Sequence, residues 1–183
     1  MRFWANLIGY QLVWFAAVIG AGRGSPWPGV VAALLFVVAQ GWASPHRGAD
    51  ARLVAVALVL AVATDGAIAY AGWLHYAAAA PAVGHAPLWI VTLWAAFAMT
   101  INHSLAFLQH RPWLAWLLGA SGGPLAYWGA ARGWQAVTFA APAWQGLAAL
   151  AVAWGMAMPL LAALALRWRE PPRANAVVQE ASR

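Results

Sequence analysis

Long apolar segments alternate with short polar stretches along most of the chain. Six of these segments are about 17 to 24 residues long, and a helix rising 1.5 Å per residue needs about 20 residues to cross a hydrocarbon layer of about 30 Å. We therefore predict an all-α integral membrane bundle of six transmembrane helices with short loops. The predicted spans cover residues 3–21, 27–43, 53–71, 88–109, 112–131 and 143–166. They form one domain over residues 1–168, followed by a polar tail over residues 169–183.

Two features of the pattern predict departures from simple spans. The connection over residues 72–87 is the longest, and its interfacial aromatic residues allow a short helix at the membrane surface. The fifth segment is interrupted by the sequence GASGGP, in which Pro124 cannot donate a helical hydrogen bond. Gly119 and Gly123 form a small-residue face there. We expect this helix to be kinked and closely packed against a neighbour.

Composition also places the chain among membrane proteins. Hydrophobic residues make up 64% of it and charged residues 8%, whereas an ordinary soluble domain has about 25% charged residues. All basic residues are arginine, and with six spans only Arg23 and Arg132 lie on the side opposite the two termini. The positive-inside rule then predicts that both termini are cytoplasmic. The net charge of +6 reports this orientation, so we infer no nucleic-acid partner.

Residue content excludes several kinds of chemistry. The chain has no cysteine, which rules out disulfides, thiolate catalysis and cysteine-ligated metals. It has no nucleotide-binding glycine loop, serine-hydrolase elbow or zinc-protease motif. His75 and His85 have no adjacent carboxylate to complete a metal site, so we predict no metal, and the sequence identifies no cofactor. Any reaction would be acid–base chemistry within the membrane, on an apolar or amphipathic substrate.

Asp65 is the most informative single residue because it lies in the middle of an apolar segment. A carboxyl group inside a bilayer is costly unless it has partners, water or a bound proton, and such groups usually mark functional sites. One interpretation makes Asp65 an acid–base or hydrogen-bonding group of a site. The alternative is a structural polar contact, for example a neutral acid bonded to a backbone carbonyl freed near Pro124.

Depth along the helices separates Asp65 from a second polar group. Asp65 lies about 18 Å from the cytoplasmic edge, and His103 about 8 Å from it, so we do not expect the two side chains to touch. Near the depth of His103 we predict a polar layer built by the first, second and fourth spans. Its members are Asn6, Tyr10, Gln11, Gln40, Thr100, Asn102, His103 and Ser104. These residues either contact a ligand or hold helices together by hydrogen bonds.

Three stretches carry a resemblance to a known family. They are FWANLIGYQLVWFAAVIGAGRGSPWPG near the start, LWAAFAMTINHSL in the centre and GGPLAYWGAARG later in the chain. Together they resemble the bacterial inner-membrane family catalogued as domain of unknown function 2878, over nearly the whole chain to about Leu166. The resemblance implies a compact multi-span inner-membrane protein. It also implies a link to lipids, because members are often encoded near fatty-acid or phospholipid-modifying enzymes. It supplies no catalytic residues.

Three hypotheses of function follow. The first is a bacterial inner-membrane protein that binds or modifies a lipid-like substrate, with Asp65 and His103 as candidate catalytic residues. Its candidate substrate-binding residues are Asn6, Tyr10, Gln11, Gln40, Thr100, Asn102, Ser104 and Tyr127. The second is a non-enzymatic accessory or assembly subunit that binds a membrane-protein partner. The third is a small transporter, although the chain shows no internal inverted repeat.

Overall fold

The computed structural model describes residues 2–169, and the tail predicted over residues 169–183 lies almost entirely outside this range. Helices account for most of the described chain, which confirms the predicted helical class. The helices are α1 (Arg2–Gly22), α2 (Trp27–Ala43), α3 (Arg47–Tyr70), α4 (Leu88–Ile101), α5 (Pro112–Trp134) and α6 (Trp144–Trp168). Two short strands, β1 (Leu74–Tyr76) and β2 (Val137–Phe139), complete the regular structure with one 3-10 turn (Ala106–Leu108).

Within the described residues, three segments are long and apolar enough to cross a membrane. They are Phe3–Gly22, Arg47–Tyr70 and Trp144–Trp168. The apolar helices α2 and α4 are shorter, with 17 and 14 residues. Length and composition therefore support a membrane protein.

Successive helices run in opposite directions through the bundle, as contacts between the segments that connect them show. At one end, β1 pairs antiparallel with β2, so the α3–α4 and α5–α6 connections lie together. Gly22 packs there against the Trp134 carbonyl. We call this the cap end. At the opposite end, the start of α3 contacts the segment after α4 through Asp50 and Asn102. We call this the arginine end, because most arginines lie at helix termini on that side.

Helix α4 is the centre of the bundle. It contacts α1, α2, α3 and α6, and eleven of its fourteen residues are buried. Its residues are apolar around the whole circumference, as expected for a helix enclosed by others. On the segment that follows it, the polar residues Asn102, Ser104 and Gln109 are also buried.

The predicted fourth span over residues 88–109 is wrong at its C-terminal end, because α4 ends at Ile101. The chain then turns, and the N–H of Leu105 donates to the Thr100 carbonyl at 2.8 Å. The Gln109 side chain donates to the Ile101 carbonyl at 2.9 Å. These bonds satisfy backbone groups that an ended helix leaves free. Asn102 and His103 lie on this turn, so helical spacing does not describe their relative directions.

The connection over residues 72–87 contains β1, and the surface helix predicted there is absent from the described structure. The register pairs Leu74 with Phe139 and Tyr76 with Val137. This pairing could not be read from either segment alone, since each strand has only three residues. The strand pairing fixes the position of Tyr76 at the cap end of the bundle.

Helix α5 continues through Pro124 as one helix. The predicted small-residue face is confirmed, because α6 packs directly against it. A Cβ atom on Gly119 would clash with the Trp154 carbonyl, and one on Gly123 would lie 2.5 Å from the Trp154 ring. Glycine is required at both positions for this close approach.

Candidate functional site

Asp65 is buried inside the bundle in the last two turns of α3, toward the cap end, with 1% of its surface exposed. Its Oδ1 atom accepts hydrogen bonds from the Tyr76 hydroxyl at 2.6 Å and from the Tyr127 hydroxyl. Its Oδ2 atom accepts one from Trp94 Nε1 at 2.9 Å and a longer one from Thr64 at 3.3 Å. The donors come from β1, α5, α4 and α3, so this carboxyl group connects four elements.

The hydrogen bonds around Asp65 occupy both oxygens of its carboxyl group. The Trp94 indole can only donate, and both carboxylate oxygens accept from the surrounding groups. Burial raises the pKa of Tyr76 well above its ordinary value. Tyr76 therefore keeps its proton and remains a donor. Within residues 2–169, no cation pairs with Asp65, so neutral hydrogen bonds alone support the acid.

The expected alternative for Asp65, a bond to a carbonyl freed by Pro124, does not occur among its hydrogen bonds in the described structure. Helix α5 does supply a partner, through Tyr127. The sequence indicated Tyr127 only as a candidate substrate-binding residue and could not show that its side chain reaches the carboxyl group. It did not identify Tyr76 or Trp94 as partners of Asp65.

A cavity of about 420 Å³ lies beside this acid, among α1, α4, α5 and α6. Aromatic side chains form its inner wall. Trp94 stacks on Trp154 with ring centroids 4.2 Å apart, and Phe97 meets Trp154 edge to face at 5.0 Å. Tyr10 continues the wall, 5.7 Å from Phe97. Tyr127 also lines the cavity, and its hydroxyl donates to Asp65, which is not a lining residue.

The cavity opens between α1 and α5. These two helices meet at the cap end, where Trp14 packs against Trp134 at 5.6 Å. Farther toward the arginine end the cavity is lined by Gln11, Leu118 and Leu125, all exposed side chains. The lining residues of α5 run from 118 to 127, which corresponds to about 14 Å along the helix axis. The opening is therefore on the side of the bundle and is flanked by leucines.

Only some of the predicted site residues meet at this cavity. Tyr10, Gln11 and Tyr127 line it. Thr100 instead donates to the Phe97 carbonyl at 2.6 Å within its own helix. The predicted polar layer thus divides into separate groups.

One group is centred on Asn6, which is 1% exposed. Its amide nitrogen donates to Gln40 at 2.9 Å and to the Met99 carbonyl at 3.1 Å. Its oxygen accepts from the Ser104 hydroxyl at 2.6 Å. These bonds join α1, α2 and the segment after α4. Every polar atom of the Asn6 side chain is used, as in a structural contact between helices.

The second group contains an acid that sequence reasoning assigned to a loop. Asp50 is 1% exposed and accepts hydrogen bonds from Ser44, from Asn102 at 2.8 Å and from His103 Nε2 at 3.2 Å. A buried aspartate–histidine pair therefore exists, but its acid is Asp50. The predicted separation of His103 from Asp65 agrees with this arrangement.

A signal for Asp50 was present in the sequence. The residue lies in the first turn of α3, where an acid interacts favourably with the helix dipole. Its position one turn before the apolar segment indicated a helix that begins earlier than residue 53. Its partners could not be foreseen, since they depend on where α4 ends.

Comparison with other proteins defines the family. No curated protein and no solved structure matches the chain. A family model does match it, over residues 3–160, which includes all six helices except the end of α6. The matched region contains Asp65, its partners and the whole cavity. The chain therefore belongs to the family described as protein of unknown function (DUF2878).

Proposed function

We propose that this is a six-span protein of the bacterial inner membrane that binds a lipid-like amphiphile in the aromatic cavity. Tyr127, held by Asp65, contacts the polar part of the ligand. The observation that carries the proposal is a buried, fully hydrogen-bonded acid directly behind a cavity with an apolar opening. Modification of the ligand would be acid–base chemistry at Tyr127, with Asp65 as its positioning residue.

The surface of the bundle supports the membrane location. Large apolar side chains are exposed on its outside, including Leu12, Leu35, Val62 and Val152. Such a surface is unfavourable in water and suits hydrocarbon. Helix α4 is only about 20 Å long, but the irregular segment after it is enclosed by protein, as a membrane requires. In this arrangement the arginine end, with both termini, faces the cytoplasm.

The cavity supports an amphiphilic ligand. Its volume lies within the range of about 300 to 1,000 Å³ that is common for small-molecule sites. Leu118 and Leu125 flank the opening and would lie in hydrocarbon, so a ligand can reach the cavity from within the bilayer. Tyr10, Gln11 and Tyr127 supply polar groups to the lining, and Trp154 adds an indole N–H that has no hydrogen-bond partner among the described residues. The rest of the lining is largely apolar. His103 lies at the arginine end with Asp50 and takes no part in this proposed site.

Two exposed glycines of α5 allow a matched test. A Cβ atom on either Gly122 or Gly133 would meet nothing within 4 Å, but only Gly122 lines the cavity. We expect Gly122→Trp to fill the opening and Gly133→Trp to leave it free. Each protein is purified in lipid nanodiscs, and bound lipids are extracted and identified by mass spectrometry.

The expected result is a lipid species enriched on the wild type and on Gly133→Trp, and lost from Gly122→Trp. Equal lipid profiles for all three proteins would contradict the proposal. Comparative lipidomics of a deletion strain then identifies whether that species is also chemically altered in cells.

A second candidate function is an accessory subunit without a ligand. The observation in its favour is that the Asn6 group and the Asp50 group lie away from the cavity. Their hydrogen bonds connect elements of the bundle to one another. If this candidate is correct, Asp65→Asn should lower protein stability or the recovery of a membrane partner. The lipid profile should then be the same in wild type and variant.

A further inference from the structure

The cavity has polar groups but no charged ones. Among the described residues, its lining includes no arginine, lysine, histidine, aspartate or glutamate side chain. Salt bridges of the described residues are confined to the Asp50–His103 pair at the arginine end. A charged ligand group placed deep in this cavity would therefore have no oppositely charged side chain in contact. Burial of an unpaired charge in apolar surroundings is strongly unfavourable.

Asp65 does not act as a charged partner for a ligand group in the cavity. It lies behind Tyr127 and Trp94, which bond to its two oxygens, and Tyr76 and Thr64 take further positions around the same carboxyl group. With Tyr127, Tyr76 and Trp94 donating to it, the carboxyl group has both oxygens occupied and no free side to offer an ammonium group.

The hydrogen-bonding groups that remain favour a hydroxyl group. The Tyr127 proton points to Asp65, so this residue offers a ligand its oxygen lone pair. The Tyr10 hydroxyl has no hydrogen-bond partner in the part of the chain that the structure describes. It can therefore donate as well as accept. An alcohol can donate to Tyr10 or accept from it without bringing a charge.

We infer that the ligand is an uncharged, long-chain alcohol, and that the site discriminates against anionic and cationic amphiphiles of the same chain length. This inference rests on the proposed function, because it names the chemical class for the same cavity. The apolar chain lies against the wall of Phe97, Trp94 and Trp154 and continues through the lateral opening into the bilayer.

The test uses the full chain in nanodiscs of phosphatidylcholine and a hexadecan-1-ol probe that carries a diazirine group on its chain. After irradiation, mass spectrometry locates the labelled peptides. Unlabelled competitors are hexadecan-1-ol, hexadecane-1-sulfonate and hexadecylammonium, compared at equal mole fraction in the bilayer. The two ionic compounds keep their charge at neutral pH, so the comparison tests charge at constant chain length.

We expect the probe to label α5 and α4 residues of the cavity. Hexadecan-1-ol should prevent this labelling at least ten times more effectively than either charged competitor. Tyr10→Phe keeps the aromatic ring and removes the hydroxyl, and should weaken displacement by the alcohol severalfold. Equal competition by the sulfonate or the ammonium compound, or no effect of Tyr10→Phe, would overturn the alcohol assignment. It would leave the proposed function intact.

A different outcome addresses the proposed function itself. If no compound displaces the probe, and Gly122→Trp carries the same label as the wild type, the cavity binds no amphiphile and both proposals fail.

Discussion

The substitution Asp65→Asn tests the hydrogen-bonding scheme around the buried acid. The asparagine oxygen can take the place of Oδ1 and still accept from Tyr76 and Tyr127. Its NH2 group then replaces Oδ2 and faces the Trp94 N–H, which is 2.9 Å from that atom. Two donors oppose each other there, and the buried indole has no acceptor.

The expected cost follows from this single conflict. A buried donor left without a partner costs about 1–3 kcal/mol, and hydrogen bonds measured inside membrane proteins reach about 1.7 kcal/mol. We therefore expect Asp65→Asn to lower the free energy of unfolding by about 2 kcal/mol. Trp94→Phe removes the opposing donor, although it weakens the stacking on Trp154 by itself.

A double-mutant cycle isolates the conflict from these other effects. In the Trp94→Phe background, Asp65→Asn should cost about 1–2 kcal/mol less than in the wild type. The control is Trp89→Phe, since the equally buried Trp89 donates to the Ala77 carbonyl and not to Asp65. The measurement is reversible unfolding of purified protein in mixed micelles, followed by circular dichroism.

The reasoning would be refuted by additivity in the Trp94 cycle. Distant, independent sites add to within about 0.3–0.5 kcal/mol, so a coupling below that value means that Trp94 does not bond to the carboxyl group. A coupling of the same size in the Trp89 cycle would point to a general weakening of the core.

Two further predictions concern packing and the second buried acid. Gly119→Ala should lower the thermal midpoint, because its Cβ would clash with the Trp154 carbonyl, at a cost of about 1–3 kcal/mol. Gly122→Ala meets no atom within 4 Å and should leave the midpoint unchanged or higher, and equal midpoints for the two variants would contradict the close packing. Asp50→Ala leaves three donors without their acceptor and should cost about 3 kcal/mol in denaturant unfolding. His46→Ala is its control, since His46 bonds in this group only through backbone atoms, and a similar loss in both variants would argue against the Asp50 contacts.

The positions of most helices could be predicted from the sequence alone. Apolar length is a local property, and the predicted spans over residues 27–43 and 112–131 agree closely with α2 and α5. The requirement that Asp65 find partners also followed from the sequence, since it depends only on placing an acid among apolar residues. The close approach of Gly119 and Gly123 to a neighbouring helix followed from their small size.

Only the tertiary structure decided which groups meet. Tyr76 reaches Asp65 because β1 pairs with β2, a contact between segments about 60 residues apart along the chain. Asp50 meets His103 because α4 ends early and the following turn folds back beneath α3. Hydropathy records how far each residue prefers to be from water, but it carries no information on helix rotation or on which ends lie side by side. Those long-range contacts placed a buried acid behind an aromatic cavity.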